Sequence, residues 1–264
     1  MKALKKLLGK TLIATACVAA AMTATADVLS DIKSRDEIRI AVPQDFPPFG
    51  SVGADLKPQG IDVDMAHYIA DQMGVDLKIV PVTSANRIPY LQTSKVDLVI
   101  SSLGKNPERQ KAIDFSTPYA PFFLGVFGEK SVSVDELQDL SGKTVGVTRG
   151  SVEDLELEKN APTSVNIQRF EDNNTTLTAY LTGQVNLIAT GNLVATEIAK
   201  RKPARAPEAK FMLKDSPCYI GMAKGEAALQ SEVNAIIAKA LAEGKLNDIS
   251  MKWLKAPLPA GFGV

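Results

Sequence analysis

The hydrophobic and polar positions of the chain follow two alternating patterns. Short apolar runs, typical of strands buried in a sheet, alternate with longer stretches in which apolar residues recur every three or four positions, as on one face of a helix. The predicted strands are residues 37–42, 76–81, 96–100, 144–147, 165–170, 185–189 and 218–223. The predicted helices are residues 61–73, 152–159, 174–182, 193–200, 226–241 and 245–254. This order predicts an α/β protein with mostly parallel sheets, and the restart at residue 144 indicates two lobes.

One segment combines a buried strand with a well-marked helix start. The apolar run 96–100 stops at a polar, glycine-containing stretch, 101–104, which we expect to form a loop. Asn106 is a typical N-cap and Pro107 suits the first helical position. Because helical Cβ bonds point toward the N-terminus, Arg109 on the first turn is able to reach back over the loop. Hydroxyls, amides and a guanidinium at the carboxyl end of a strand favour a carboxylate ligand.

The first 26 residues are typical of an export signal. A lysine-rich start precedes an apolar run over residues 11–22, which is too short to span a bilayer because a spanning helix needs about 20 residues. Small residues at 24–26 predict cleavage after Ala26 and a periplasmic protein. A lipoprotein cleavage before Cys17 is the alternative, although the preceding residues lack the usual leucine.

Charge and composition exclude several classes of protein. The chain has 30 basic and 30 acidic residues, and loss of the four leader lysines leaves 26 basic residues, a mildly acidic balance. Such a balance gives no basis for nucleic-acid binding. Cys218 alone remains after cleavage, so no internal disulfide is expected. The single histidine, His67, cannot build a transition-metal site by itself, and we expect no metal or cofactor.

A specific residue pattern follows the third predicted strand. Its acidic, hydroxyl, Glu-Arg and aromatic positions are Asp97, Ser101, Glu108, Arg109, Phe115, Ser116 and Tyr119. This pattern resembles the signature of the family 3 extracellular solute-binding proteins, the polar amino acid receptors of bacterial ABC importers. The final long helix, followed by G-x-L and K-W, is similar to the end of those proteins, so the resemblance covers residues 36–255.

The resemblance implies a type II periplasmic-binding-protein fold. Two α/β lobes would be joined by two crossings, near residues 123–128 and 217–223, and would close a cleft by hinge motion. The first lobe is expected to contain residues 27–125 and 218–264, and the second lobe residues 126–217.

The resemblance also implies roles for residues of the first lobe. Arg109 would grip the ligand α-carboxylate, and a cation placed at a positive helix N-terminus independently suggests an anion between them. Ser101 and Ser102 would supply hydroxyl and amide donors. Phe46, in a proline-rich loop, occupies the position of an aromatic residue that covers the ligand in family members.

Two further pairs extend the predicted site. Ser151 and Val152 form the second-lobe turn that presents amides to the carboxylate in the family. Ser84 and Arg87 resemble residues that contact the acidic side chain in glutamate- and aspartate-binding members, where a second arginine suits a second carboxylate. A solvated arginine preceding Pro89 is the alternative for Arg87.

The sequence departs from the family at two positions. Gly104 stands where members usually carry serine or threonine, and Gly191 stands where they carry the aspartate that binds the ligand α-ammonium. Three explanations stay open, since an unpaired buried ammonium is costly. Asn192 and carbonyl groups bind the ammonium, another acid such as Asp45 or Asp172 replaces the aspartate, or the ligand lacks an α-ammonium.

The sequence therefore predicts a monomeric periplasmic receptor, not an enzyme. It would close on a carboxylate-bearing, amino-acid-like solute, with an acidic one possible, and deliver it to an ABC permease. No nucleophile motif or metal-ligand cluster stands out in the sequence. The alternative is a cyclohexadienyl dehydratase-like enzyme on the same fold, with Glu153, Glu171 or Asp172 as the acid, because fold does not fix chemistry.

Overall fold

A computed structural model describes residues 27–263. The predicted signal segment, with its cleavage site and Cys17, lies outside the described residues. The strands are β1 Glu37–Val42, β2 Asp45–Phe46, β3 Gly50–Val52, β4 Pro58–Gln59, β5 Asp76–Pro81, β6 Leu98–Leu103, β7 Ile113–Ala120, β8 Phe123–Gly128, β9 Thr144–Thr148, β10 Asn166–Phe170, β11 Leu187–Gly191, β12 Glu208–Asp215 and β13 Cys218–Ala223. The helices are α1 Val28–Arg35, α2 Ile61–Met73, α3 Arg87–Gln92, α4 Pro107–Ala112, α5 Val152–Asn160, α6 Asn173–Leu181, α7 Asn192–Lys200, α8 Ala227–Ala242 and α9 Lys245–Leu254, with 3₁₀ turns at Ser84–Asn86 and Leu137–Leu140.

Two five-stranded sheets form the centres of two lobes. The first has the order β5-β1-β6-β13-β7 and the second β10-β9-β11-β8-β12, while β2, β3 and β4 form a small separate sheet. The predicted two-lobed α/β class is confirmed. Each large sheet is mixed rather than mostly parallel, because β8 and β13 each enter from the other lobe and run antiparallel to both neighbours.

The chain passes between the sheets twice, at residues 121–122 and 216–217. The predicted crossings, 123–128 and 217–223, fall instead largely on β8 and β13, which begin directly after the passages. The two passages lie side by side, since the Ser216 amide donates to the Phe122 carbonyl oxygen at 3.0 Å. Residues next to either passage therefore lie close to both lobes.

Helix caps predicted from the sequence are present. Asn106 Oδ1 accepts the Arg109 amide at 2.8 Å, with Pro107 as the first helical residue of α4. Ser151 Oγ accepts the Asp154 amide at 3.1 Å and caps α5. Each of these bonds satisfies a helix-start amide that has no partner inside its helix.

The first lobe is held by apolar faces that the helical patterns predict. On α2, Ile61, Met65, Ala66 and Ile69 are buried against the first sheet. The α8 helix contributes a second buried face, made of Leu229, Val233, Ile236, Ile237 and Ala240. Burial of one such large side chain is worth roughly 1.5–3 kcal/mol, so these two faces dock the helices firmly.

The predicted loop at 101–104 is wrong for its first three residues. Strand β6 runs from Leu98 to Leu103, beyond its parallel pairing with β1, because antiparallel β13 extends the ladder to Leu103. This ladder is irregular, and Ser102 has a φ of 40° within the strand. Strand β12, an edge strand paired with β8, begins inside the polar stretch 202–210, so the sequence pattern did not indicate it.

None of the helices within residues 27–263 is long and apolar enough to cross a membrane.

Candidate functional site

A cavity lies between the lobes beside both passages. It contains about 370 Å³ of space, including the part open to solvent. Its lining residues are Phe46, Ser84, Arg87, Ser102, Phe122, Leu124, Thr148, Ser151, Val152, Glu153, Asn173, Ala189, Thr190 and Ser216. Both lobes and both passages contribute, so the cavity depends on how the lobes are placed against each other.

Arg87 is the buried cation of the cavity. It begins α3, is 5% exposed, and donates from Nε to the Ser101 hydroxyl at 3.0 Å. No residue within 27–263 accepts a hydrogen bond from its two terminal nitrogens. Burial lowers the pKa of Arg87, and the Asp62 and Glu153 carboxyl groups oppose this effect. Because the arginine side chain does not lose its proton in proteins near neutral pH, the group stays charged.

Arg109 joins the two lobes beside the cavity. Its Nη1 donates to the Gly104 carbonyl oxygen at 2.7 Å, and its Nη2 donates to the Gly150 carbonyl oxygen at 2.9 Å. Burial, together with the neighbouring Arg87 charge, lowers the pKa of Arg109 to about 10. Arg109 and Arg87 also line a second, more open recess next to the cavity, together with Ser84.

A second connection between the lobes involves Asp45 and Asn173. The Asp45 carboxylate accepts the Asn173 amide at 2.8 Å and its side-chain Nδ2 at 3.1 Å. Asn173 is the first residue of α6 in the second lobe, whereas Asp45 belongs to β2, which lies next to the first lobe. The carboxylate therefore binds a helix N-terminus, where a negative charge is favoured.

Asp62 supports the cavity from behind. Its carboxyl group is fully buried and accepts the Ser102 amide at 2.8 Å and the Tyr119 hydroxyl at 2.6 Å. Burial raises the pKa of Asp62 to about 7, although both hydrogen bonds lower it. The bond to Ser102 holds a non-glycine residue at positive φ, a conformation that needs such support.

Glu153 is the one acid that lines the cavity within residues 27–263. It is 5% exposed, on the first turn of α5. Burial raises the pKa of Glu153, while its hydrogen bonds and the charges of Arg87 and Arg109 lower it. The cavity thus places a protonatable carboxyl group close to two buried cations.

Ser216 occupies the space that a side chain at position 104 would need. A Cβ atom at position 104 would overlap Ser216 Oγ and lie 2.8 Å from Val152 Cγ2. Ser216 is 4% exposed, and its hydroxyl has no hydrogen-bond partner among the described residues. The hydroxyl that the sequence lacks at position 104 is therefore replaced, in space, by one from the second passage.

The Phe122 ring occupies the space that a side chain at position 191 would need. A Cβ atom at position 191 would overlap the Phe122 ring. That ring packs edge-on against Phe49, with centroids 4.8 Å apart, and against Phe46, with centroids 6.0 Å apart. An aromatic wall consequently stands where the resemblance leads one to expect a carboxylate.

The structure gathers six of the ten predicted site residues around the cavity. These are Phe46, Ser84, Arg87, Ser102, Ser151 and Val152. Of the others, Ser101 holds Arg87, while Gly104 and Arg109 lie just outside the lining. The Asn192 side chain accepts the Phe123 amide at 3.3 Å and does not line the cavity. A ligand role for each of the ten stays a prediction.

Several lining residues were missed from the sequence. They are Phe122, Leu124, Thr148, Asn173, Ala189 and Ser216. Phe122 and Ser216 carry no local motif and come together only because the two passages adjoin. No sequence motif marks Thr148 as a site residue. Its hydroxyl is positioned by donating to Asn173 Oδ1 at 2.9 Å, on another element of the second lobe.

Two α/β lobes joined by two adjacent passages, with a cavity lined from both, define a type II periplasmic binding protein. The chain belongs to the bacterial extracellular solute-binding proteins, family 3, whose family model matches residues 38–256.

Similar proteins bind amino acids. The ABC transporter glutamine-binding protein of Bacillus subtilis is 30% identical over 234 residues, which cover 87% of this chain and 85% of that protein. A solved structure of a solute receptor for L-cysteine of Neisseria gonorrhoeae is 31% identical, covers 86% of this chain and 93% of its own, and has a TM-score of 0.80. An ancestral amino acid-binding protein described as a precursor of cyclohexadienyl dehydratase is 27% identical, covers 86% and 99% respectively, and has a TM-score of 0.78.

Proposed function

We propose that this protein is the periplasmic receptor of an amino acid ABC importer, and that it closes on a carboxylate-bearing, amino-acid-like solute. The observation that carries the proposal is a buried cation in a cavity shared by two lobes. The terminal nitrogens of Arg87 have no partner among the described residues, and planar guanidinium groups suit carboxylates. The glutamine and cysteine receptors named above support an amino-acid-like ligand.

Recognition of the carboxylate would combine charge with hydroxyl donors. Ser84 and Ser102 line the cavity together with Arg87, and Ser216 offers a buried hydroxyl that has no partner among the described residues. A ligand oxygen that pairs with Ser216 removes the cost of leaving that hydroxyl unsatisfied. Arg109 adds positive charge next to the same cavity, so the site as a whole attracts an anion.

Closure would follow from contacts that only the closed lobes make. Arg109 contacts Gly150, and Asp45 contacts Asn173, each from one lobe to the other. Hinge motion of packed lobes around a ligand commonly depends on such contacts. The closed monomer would then be the form that delivers the solute to the permease.

The test is a ligand panel on the purified chain. Amino acids, dicarboxylates and derivatives without an amino group are screened by thermal shift, after endogenous ligand has been removed by unfolding and refolding, and hits are confirmed by calorimetry. We expect at least one carboxylate to raise the melting temperature and to lose affinity in Arg87→Ala. The matched control is Arg149→Ala, whose side chain is half exposed and pairs with exposed Glu171. Equal affinity of Arg87→Ala and the control would contradict the proposed site.

Cleavage after Ala26 is also proposed. Mass spectrometry of the protein from a periplasmic extract would give a mature chain that starts at Asp27. A lipidated chain that starts at Cys17 would contradict this part of the proposal.

A dehydratase-like enzyme is the second candidate, because Glu153 is a buried acid in the cavity. The other acids considered from the sequence are placed differently: Asp172 caps α6, and Glu171 is exposed in its pair with Arg149. A general acid needs a proton near neutral pH, and burial favours the protonated form of Glu153. Turnover of a cyclohexadienyl carboxylate that is lost in Glu153→Gln would support this candidate. Binding of a carboxylate without turnover would favour the receptor.

A further inference from the structure

Gly191 and Phe122 determine what the second-lobe wall of the cavity offers a ligand. Gly191 ends β11 and is buried, and any side chain there would overlap the Phe122 ring. Position 191 therefore contributes no functional group while the ring is in place. Of the neighbouring lining residues, Ala189 and Leu124 are apolar, and Thr190 offers a hydroxyl group but no charge.

The Phe122 ring is fixed in this position. It is 3% exposed and makes edge-on contacts with Phe46 and Phe49. Its backbone carbonyl is held by the Ser216 amide at 3.0 Å. Because the ring is packed on two sides and its backbone is held, it does not leave room for a side chain at position 191 without repacking of the aromatic cluster.

The other groups considered for an ammonium are already engaged. Asp45 is occupied by two hydrogen bonds from Asn173. Asp172 caps α6 with its side chain, and Asn192 uses its oxygen to accept the Phe123 amide. None of Asp45, Asp172 and Asn192 is among the residues that line the cavity.

Among the described residues that line the cavity, Glu153 is the remaining carboxyl group, and its surroundings disfavour an ammonium. The charges that act on it most directly are those of Arg87 and Arg109. An ammonium beside Glu153 would meet two buried guanidinium groups of the same sign. A like charge at close range in a poorly solvated site is strongly unfavourable.

We infer that the Phe122–Gly191 pair excludes an α-ammonium group, and that the ligand is a carboxylate with an uncharged α substituent, such as a 2-oxo or 2-hydroxy acid. The inference rests on the proposed receptor function and narrows its ligand class. The carboxylate binds at Arg87, while the remainder of the solute lies against the Phe46 and Phe122 rings. A charged ammonium in that position would lose its hydration without gaining a counter-ion.

The test uses probes that differ only at the α carbon. Calorimetry is run on the refolded chain with L-leucine, 2-hydroxy-4-methylpentanoate and 4-methyl-2-oxopentanoate. Phenylalanine, glutamine and glutamate are compared with their 2-hydroxy and 2-oxo analogues in the same way. We expect the tightest ligand to be an analogue without the amino group, and to bind about tenfold or more tightly than its amino acid. Tighter or equal binding of the amino acid in the best-bound series would overturn the inference and leave the receptor function standing.

A paired variant tests the cause. Phe122→Ser removes the ring, and Phe122→Ser with Gly191→Asp adds a carboxylate in the space released. We expect the double variant to bind amino acids about tenfold more tightly than the single variant does, with both melting cooperatively. Equal amino acid affinities in two folded variants would overturn the assignment to this pair. The wild-type comparison decides the ligand class even where a variant fails to fold.

The two proposals fail in different ways. Absence of binding by every carboxylate of every series, in a chain that melts cooperatively, would overturn the receptor function and the inference together. Binding led by an amino acid overturns only the inference.

Discussion

The Arg109 guanidinium donates to the carbonyl oxygen of Gly150 at 2.9 Å, and this bond runs from the first lobe to the second. The same guanidinium holds Gly104 within its own lobe at 2.7 Å. Arg109 thus ties the residue after β6, the central strand of the first sheet, to the turn that precedes α5. Arg109 therefore contributes both a positive charge beside the cavity and a contact that joins the closed lobes.

Replacement of Arg109 by alanine is expected to weaken ligand binding by about tenfold or more. Hydrogen bonds to a charged group are worth about 1.5–3 kcal/mol, and the bond to Gly150 stabilises the closed lobes. Calorimetry on the ligand found in the panel gives the change in affinity. X-ray scattering is expected to show a smaller decrease in radius of gyration on ligand addition than in the wild type. Unchanged affinity and full closure in Arg109→Ala would remove this residue from the site.

Asp45→Ala is expected to accelerate ligand release. The variant loses both hydrogen bonds to Asn173, and with them one of the contacts that join the lobes. A loss of about 1–2 kcal/mol from the closed form corresponds to a release rate about five- to thirtyfold faster. Stopped-flow displacement measures that rate. Glu171→Ala, an exposed acid of the second lobe, is the control and is expected to release ligand at the wild-type rate.

Ser216→Ala is expected to lower affinity about two- to tenfold while leaving the folded protein as stable as before. The reason is that Ser216 Oγ has no protein partner among the described residues, so its removal costs the fold no hydrogen bond. Denaturant unfolding and calorimetry separate the two effects. The double variant Gly104→Ser, Ser216→Gly moves the hydroxyl to position 104, where the Val152 side chain must shift, and is expected to recover part of the affinity. A large loss of stability in Ser216→Ala would show that the hydroxyl serves the fold.

Asp62 is expected to make stability fall as pH rises. Burial raises its pKa from 3.8 to about 7, so between these values the unfolded chain has released a proton that the folded protein keeps. Stability decreases with pH wherever the folded state binds more protons. Between pH 5 and 7.5 the wild type should therefore lose about 2.5 kcal/mol more than Asp62→Asn does.

Denaturant unfolding at the two pH values measures this difference, with Asp55→Asn as an exposed control. The control is expected to follow the wild type. Parallel pH dependence of Asp62→Asn and the wild type would show that the Asp62 pKa is not raised in the folded protein.

The periodicity of apolar residues was sufficient to predict most of the elements of the fold. The bounds of α2, β5 and β13 agree with prediction because each has a strong pattern and a clear end signal. The end of β6 could not be predicted, since Ser101 and Ser102 interrupt its apolar run and the strand is extended to Leu103 by β13, which lies more than 100 positions away. Sequence pattern reports local preference, and long-range pairing overrode it there.

The residues of the candidate site also form two groups, those that the sequence could predict and those that it could not. Residues near the end of a strand or at the cap of a helix, such as Ser102 and Ser151, were predictable because their position relative to an element limits where they point. Phe122 and Ser216 were not, because each becomes part of the cavity only when the two passages come together. Asp97 illustrates the opposite case. It belongs to the family pattern but pairs with Arg39 and Arg35 away from the cavity, which is a structural role.

The overlap between a side chain at position 191 and the Phe122 ring also restricts how this receptor can diverge. An acidic residue gained at position 191 by a single mutation would overlap the Phe122 ring. The mutation would therefore destabilise the fold without bringing a carboxylate to the ligand. Loss of the ring first would leave a cavity in the aromatic cluster but a viable protein to which the acid could be added. The order of substitutions therefore matters, and a lineage that changes ligand class through this wall must pass through a variant with a small residue at 122.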